Sequence, residues 1–68
     1  MVKISYNKLW KMLIDLDLNK SRLRKITGIG TGTLSKLSKC EPVSLEIIAK
    51  ICFALKCNIE DVVEFIYE

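Results

Sequence analysis

The richest chemistry in this chain is cationic. Between Asn19 and Lys39 stand Lys20, Arg22, Arg24, Lys25, Lys36 and Lys39, with no carboxylate among them. A one-signed stretch on a folded surface focuses potential and attracts a polyanion; the same stretch can also be a plain solvated face. The bias extends further: residues 1–40 carry +7 and residues 41–68 carry −4, for a net +3. Other chemistries lack their parts. There is no histidine, so no general base titrates near neutral pH without strong tuning. Cys40, Cys52 and Cys57 include no CxxC and have no imidazole to complete a zinc site, so they read as reduced thiols with no metal expected. No carboxylate pair or nucleophile–base set points to catalysis, and no cofactor is expected. The run from Gly28 to Gly32 follows no strand and lacks the lysine–serine ending of a phosphate-cradling loop.

Positioning those cations requires a folded scaffold, and the chain has the means for one. Its 68 residues are 50% hydrophobic and 28% charged, too apolar for a disordered chain at this net charge and sufficient for one domain over residues 1–68. No apolar run approaches the roughly 18 residues of a membrane span. Met1-Val2-Lys3-Ile4-Ser5 lacks the apolar stretch of a secretory signal, so a cytoplasmic protein is expected.

Hydrophobic spacing divides the chain into short helices. Leu9, Met12, Leu13 and Leu16 fall on one face of a helix over about Asn7–Leu16, capped by Asn7 or Ser5. Asn19 is a good cap for Lys20–Thr27, where Leu23 has Ile26 and Thr27 three and four residues on. Gly28 suits the left-handed position that ends such a helix, with Ile29 folding back onto Leu23. Thr31–Ser38 forms a third helix with Leu34 and Leu37 inward. Its glycine and hydroxyl residues make it intrinsically poor, so packing must sustain it. Ser44 caps a fourth helix over about Leu45–Lys56, with Val43 and Ile48 as a hydrophobic staple. Its buried stripe is Leu45, Ile48, Ile51, Cys52 and Leu55. Asn58 then caps a fifth helix, with Asp61 reaching back and Ile59, Val62 and Val63 inward. Val2–Tyr6 and Glu64–Tyr67 alternate apolar and polar residues and are expected to pair as a two-stranded β-ribbon joining the chain ends.

The block Asn19–Lys39, NKSRLRKITGIGTGTLSKLSK, reads as short helix, glycine turn, short helix. With the helices that follow, it resembles the helix-turn-helix of the Cro/cI-like repressors, the XRE family. The resemblance covers essentially the whole chain. It extends to Ile4-Ser5-Tyr6 and Leu9-Trp10 near the start and to DVVEFIYE at the end, as in small stand-alone bacterial regulators. It implies an all-α, five-helix lambda-repressor-like DNA-binding domain, bacterial or phage-encoded. The chain departs from the family pattern at Arg24, where relatives usually have a small residue, at Gly30, often Ser or Thr, and at Cys40, commonly glycine.

By position, the resemblance implies that Thr31, Gly32, Thr33 and Lys36 face base edges in the major groove. Lys36 remains open to being a phosphate contact or a solvated lysine, and Thr33 to back-bonding a helix carbonyl. Asn19, Lys20, Ser21, Lys39 and Cys40 are placed for phosphates. One recognition helix reads too few base pairs for a genome, so a homodimer is expected, its two such helices about 34 Å apart. Trp10, Phe65, Ile66 and Tyr67 are its candidate interface, Trp10 being equally open to ordinary packing. The expected function is a sequence-specific double-stranded DNA-binding transcriptional repressor without a small-molecule ligand. The alternative is a protein–protein module on the same fold, such as an antitoxin or adaptor.

Overall fold

Three of the four helices begin where a side chain takes up a free amide. In the computed structural model, which describes residues 2–68, β1 (Val2–Ser5) is followed by α1 (Asn7–Asp15), α2 (Lys20–Thr27), α3 (Thr31–Ser38) and α4 (Leu45–Leu55). A single 3₁₀ turn (Ile59–Asp61) and β2 (Glu64–Tyr67) complete the chain. The Ser5 hydroxyl accepts from the Asn7 amide at 3.3 Å. Asn19 Oδ1 accepts from the Arg22 amide at 2.8 Å, and Ser44 Oγ from the Ile47 amide at 3.3 Å. Caps of this kind contribute about 1 kcal/mol each.

The helix ends follow a second rule, one less visible in the chain. Gly28 ends α2 at φ +74, its amide donating to the Arg24 carbonyl at 2.9 Å. The other three helices stop in the same left-handed conformation without glycine: Asp17 (φ +58), Cys40 (φ +59) and Lys56 (φ +55). Each is followed by an amide that reaches back over the last turn. Leu18 donates to Leu13 O at 2.8 Å, Glu41 to Lys36 O at 2.9 Å, and Cys57 to Cys52 O at 3.0 Å. These six-to-one bonds define Schellman ends, which bring the flanking apolar side chains together. The left-handed conformation costs an L-residue roughly 1–2 kcal/mol, so packing of the following segment has to offset it.

That packing converges on Tyr6, Leu9, Leu13, Leu23, Ile29, Leu37, Ile48, Ile51 and Val62. Tyr6 is the only aromatic side chain among these, and its hydroxyl donates to the Glu41 carbonyl at 2.8 Å. It thereby ties the start of α1 to the loop between α3 and α4. Burial pushes the Tyr6 phenol above its ordinary value, with the nearby Cys40 thiol adding to the rise. Leu23 of α2 and Leu37 of α3 are fully enclosed, and Ile29 in the turn between them is 3% exposed. The two helices are thus fixed by one deep contact each and a shared wedge.

Several expectations are corrected. The fifth helix is only the 3₁₀ turn, and the fold is four helices with a small sheet rather than all-α with five. Asp61 Oδ2 does accept from the Asn58 amide, at 3.1 Å, as a reciprocal cap would. The helix cannot continue because Glu64–Tyr67 pair antiparallel with β1, in the register Val2↔Tyr67, Lys3↔Ile66, Ile4↔Phe65, Ser5↔Glu64. The sheet therefore claims the backbone groups that another helical turn would use. Ile59, expected inward, is 47% exposed; Leu45 and Leu16, placed on buried stripes, are 73% and 48% exposed. α1 ends at Asp15 and α4 at Leu55, each a residue short of expectation: the chain turns left-handed at Asp17, just after Leu16, and at Lys56 itself. The expected ribbon is present, shortened at one end: Tyr6 leaves the strand for the core. No helix among the described residues is long and apolar enough to cross a membrane.

Candidate nucleic-acid interface

α3 presents two faces. Leu37 is buried and Leu34 half-buried; Thr31, Gly32, Ser35 and Lys36 are exposed, and Thr33 is half-buried. Gly30, its N-cap, offers no side chain, so the first amides of α3 have no side-chain partner. Free amides at a helix start, with the positive end of its dipole, favour an anion or acceptor placed there. A Cβ added at Gly32 would meet nothing within 4 Å. The glycine is therefore not required by internal packing, and it leaves room for an external molecule to approach the backbone. The Thr31 and Thr33 hydroxyls make no hydrogen bond among the described residues, so Thr33 does not back-bond its own helix. The α2 threonine does: Thr27 Oγ1 donates to Leu23 O at 2.7 Å.

Around α3 the surface is cationic and unneutralised. Lys20, Arg22, Lys25, Lys36 and Lys39 are exposed and Arg24 half-buried, in keeping with a stem lying along the protein and an outward guanidinium. Among the described residues none of the six lies within ion-pair reach of a carboxylate. The surface ion pair is elsewhere, between Lys3 Nζ and Glu68 Oε1 at 3.1 Å across the ribbon.

The positions expected to meet phosphates are brought together in part. Asn19 spends its side-chain oxygen on capping α2, which leaves its amide NH₂ free to donate. Ser21 is exposed beside it. Lys20 is more constrained than a surface lysine usually is. Its Nζ donates to Ser38 Oγ at 3.2 Å and lies 4.4 Å from the centre of the Trp10 ring. The start of α2 is thereby linked to the end of α3, next to Lys39 and Cys40. Cys40 is exposed in its left-handed conformation, which accounts for the preference for glycine there.

Sequence reasoning missed Ser38, which carries no signal beyond its hydroxyl, and the Tyr6–Glu41 bond that braces the loop carrying Cys40. By sequence, Trp10 is grouped with Phe65, Ile66 and Tyr67 as a candidate dimer interface. The structure places Trp10 at the α1–α2 junction, half-buried with Leu13, Leu18 and Lys20. Phe65 and Tyr67 are 57% and 75% exposed and share a ribbon face with Ile4 and Val2; Ile66 alternates to the other face with Lys3. Beside Phe65, a groove of about 170 Å³ is lined by apolar residues including Leu45, Ile59 and Val63. Cys52 and Cys57 are free and half-buried. Burial, then the neighbouring Cys52, pushes the Cys57 thiol up to about 11, so it stays protonated and unreactive near neutral pH.

This geometry agrees with two comparisons. The model of the family described as the Cro/C1-type HTH DNA-binding domain matches residues 8–68. The crystal structure of the transcriptional regulator VanUg, Form II, is 45% identical and superposes with a TM-score of 0.94, covering 98% of this chain and 89% of that one. No match was found among curated proteins. With its capped α2, left-handed Gly28 and outward-facing α3 inside a match that spans nearly its whole length, the chain belongs to the Cro/C1-type helix-turn-helix DNA-binding domain family.

Proposed function

We propose that the protein is a sequence-specific double-stranded DNA-binding transcriptional repressor that acts as a homodimer. The observation that carries this reading is the exposed face of α3, Thr31, Gly32 and Lys36, set in a cationic surface with no internal anion to neutralise it. Lys36 donates to guanine O6 and N7, and the threonines offer a methyl for thymine and a hydroxyl for either role. Thr33, half-buried, is the more recessed of the two base-facing threonines. Asn19, Lys20, Ser21 and Lys39 hold phosphates through charge and donors, with the exposed Cys40 thiol beside Lys39 as a weak S–H donor. The structural neighbour titled a transcriptional regulator supports the regulatory role. Phe65 and Tyr67, beside the apolar groove, support a ribbon-face contact between two copies, with Ile66 at its edge. Trp10 is left out of that contact because its ring is engaged by Lys20 within the same chain. Repression then follows from occupying a site that polymerase needs.

Selection of binding sites from random duplex DNA tests the reading, followed by a salt titration on the selected site. A near-palindrome with half-sites one DNA turn apart is expected, along with an affinity that falls steeply as about 6–8 phosphate contacts are screened. Absence of duplex binding at low salt would reject it and favour the adaptor or antitoxin alternative. A single unrepeated half-site would reject the dimer.

A further inference from the structure

The contact between Lys20 and Trp10 gives the indole a role beyond packing. Trp10 is the one tryptophan of the chain, on α1, at the rim of a shallow apolar recess with Leu13, Ile14 and Leu18. Lys20 is the first residue of α2, and Ser38 the last of α3. The Lys20 ammonium lies 4.4 Å from the centre of the indole and 3.2 Å from Ser38 Oγ. An aromatic face attracts a cation through its quadrupole, while a hydroxyl attracts it as an acceptor. A side chain that would otherwise sample many rotamers is therefore held by two different helices at once. We infer that Trp10 is a positioning residue for DNA binding: its ring, together with Ser38, fixes the Lys20 ammonium where it meets a backbone phosphate. The inference rests on the DNA-binding reading above. The chemistry leaves room for the phosphate. An ammonium has three N–H donors, of which Ser38 takes one, and the Ser38 hydroxyl keeps its own proton to donate. A phosphate can join the pair without breaking either contact.

The test compares Trp10→Leu, Trp10→Phe, Ser38→Ala and Lys20→Met on one random-sequence duplex over a salt series. Trp10→Leu should weaken binding roughly two- to fivefold, the scale of an exposed cation–π contact. It should also flatten the salt slope, by at most the ~1 expected for losing one phosphate contact. Trp10→Phe should restore most of both, a rescue that a mere packing role would not give. In the Lys20→Met background, Trp10→Leu should cost nothing further. Ser38→Ala, exposed and outside the core, should shift binding in the same direction if Trp10→Leu folds poorly. An equal loss from Trp10→Leu with and without Lys20, or a change in oligomeric state, overturns the inference. Trp10 emission from the free protein is a second readout: Lys20→Met should alter it, and an unchanged spectrum overturns the contact. Wild-type protein that binds no duplex at low salt rejects the DNA reading, and with it the role given to Trp10; the emission arm still judges the contact itself.

Discussion

The α2–α3 unit and the terminal ribbon leave opposite chemistry in contact with water. The first exposes cations, hydroxyls and a bare backbone over a slender apolar underside of Leu23, Ile29 and Leu37. The second exposes Val2, Phe65, Ile66 and Tyr67 and neutralises its own end charges through Lys3 and Glu68. They are also held differently. α3 has one fully buried side chain, whereas the ribbon is held by a backbone ladder and by Tyr6, the residue that follows β1. The difference teaches how a chain this small accommodates a helix of poor intrinsic propensity. It anchors α3 through Leu37 on a core built mostly by the other elements and closes its ends with main-chain hydrogen bonds, which depend little on which side chains face outward.

The sharpest way to break this comparison is Leu37→Ala. It removes the only full anchor of α3 and should cost about 2–5 kcal/mol, measured by denaturant unfolding. A loss below 1 kcal/mol would mean that α3 is held by something other than this contact. Next in size is Lys36→Ala, which should cost about 1–3 kcal/mol on the selected DNA site and little on random duplex. Equal losses on both would reduce Lys36 to a phosphate contact.

Tyr6→Phe probes the ribbon side. Losing the bond to the Glu41 carbonyl should cost about 0.5–1.5 kcal/mol at neutral pH. The same variant changes the alkaline limb. The folded-state value of Tyr6 is raised above 10, so the unfolded chain releases this proton first. The stability tied to Tyr6 is therefore complete below about pH 10 and is lost as pH rises through the folded value. Tyr6→Phe should fall off less steeply there, and an identical slope in both proteins would show that Tyr6 titrates alike folded and unfolded. The smallest effect is expected from Cys40→Gly. Relief of the left-handed conformation, set against the added freedom of glycine in the unfolded chain, should leave a gain of roughly 0.5–1 kcal/mol. A destabilised Cys40→Gly would show that the thiol makes up for its backbone strain by packing.

Much of the scaffold was legible because its signals are local. Asn19, Ser44 and the Gly28 stop each act on amides or dihedrals a few residues away, and α2 and α3 lie where those residues put them. The outward face of α3 was legible for a similar reason, since Leu34 and Leu37 fix which side points in. Asp17, Cys40 and Lys56 gave no such signal. There the amide after the left-handed residue bonds back five positions, Leu18 to Leu13 and Cys57 to Cys52, a main-chain closure that no side-chain type announces. Lys20 was legible as a cation but not as one held by Trp10 and Ser38, 10 and 18 positions away in sequence.

From its sequence alone, the protein was determined to be cationic across residues 19–39, to cap α2 and α4, and to stop α2 at Gly28, because propensity, charge and capping act over one helical turn. Only the tertiary structure decided that the last helix shrinks to a 3₁₀ turn, that Tyr6 leaves its strand for the core, and that the Lys20 ammonium lies over the Trp10 ring. Each of those depends on which distant group reaches a backbone amide, a carbonyl or an ammonium first.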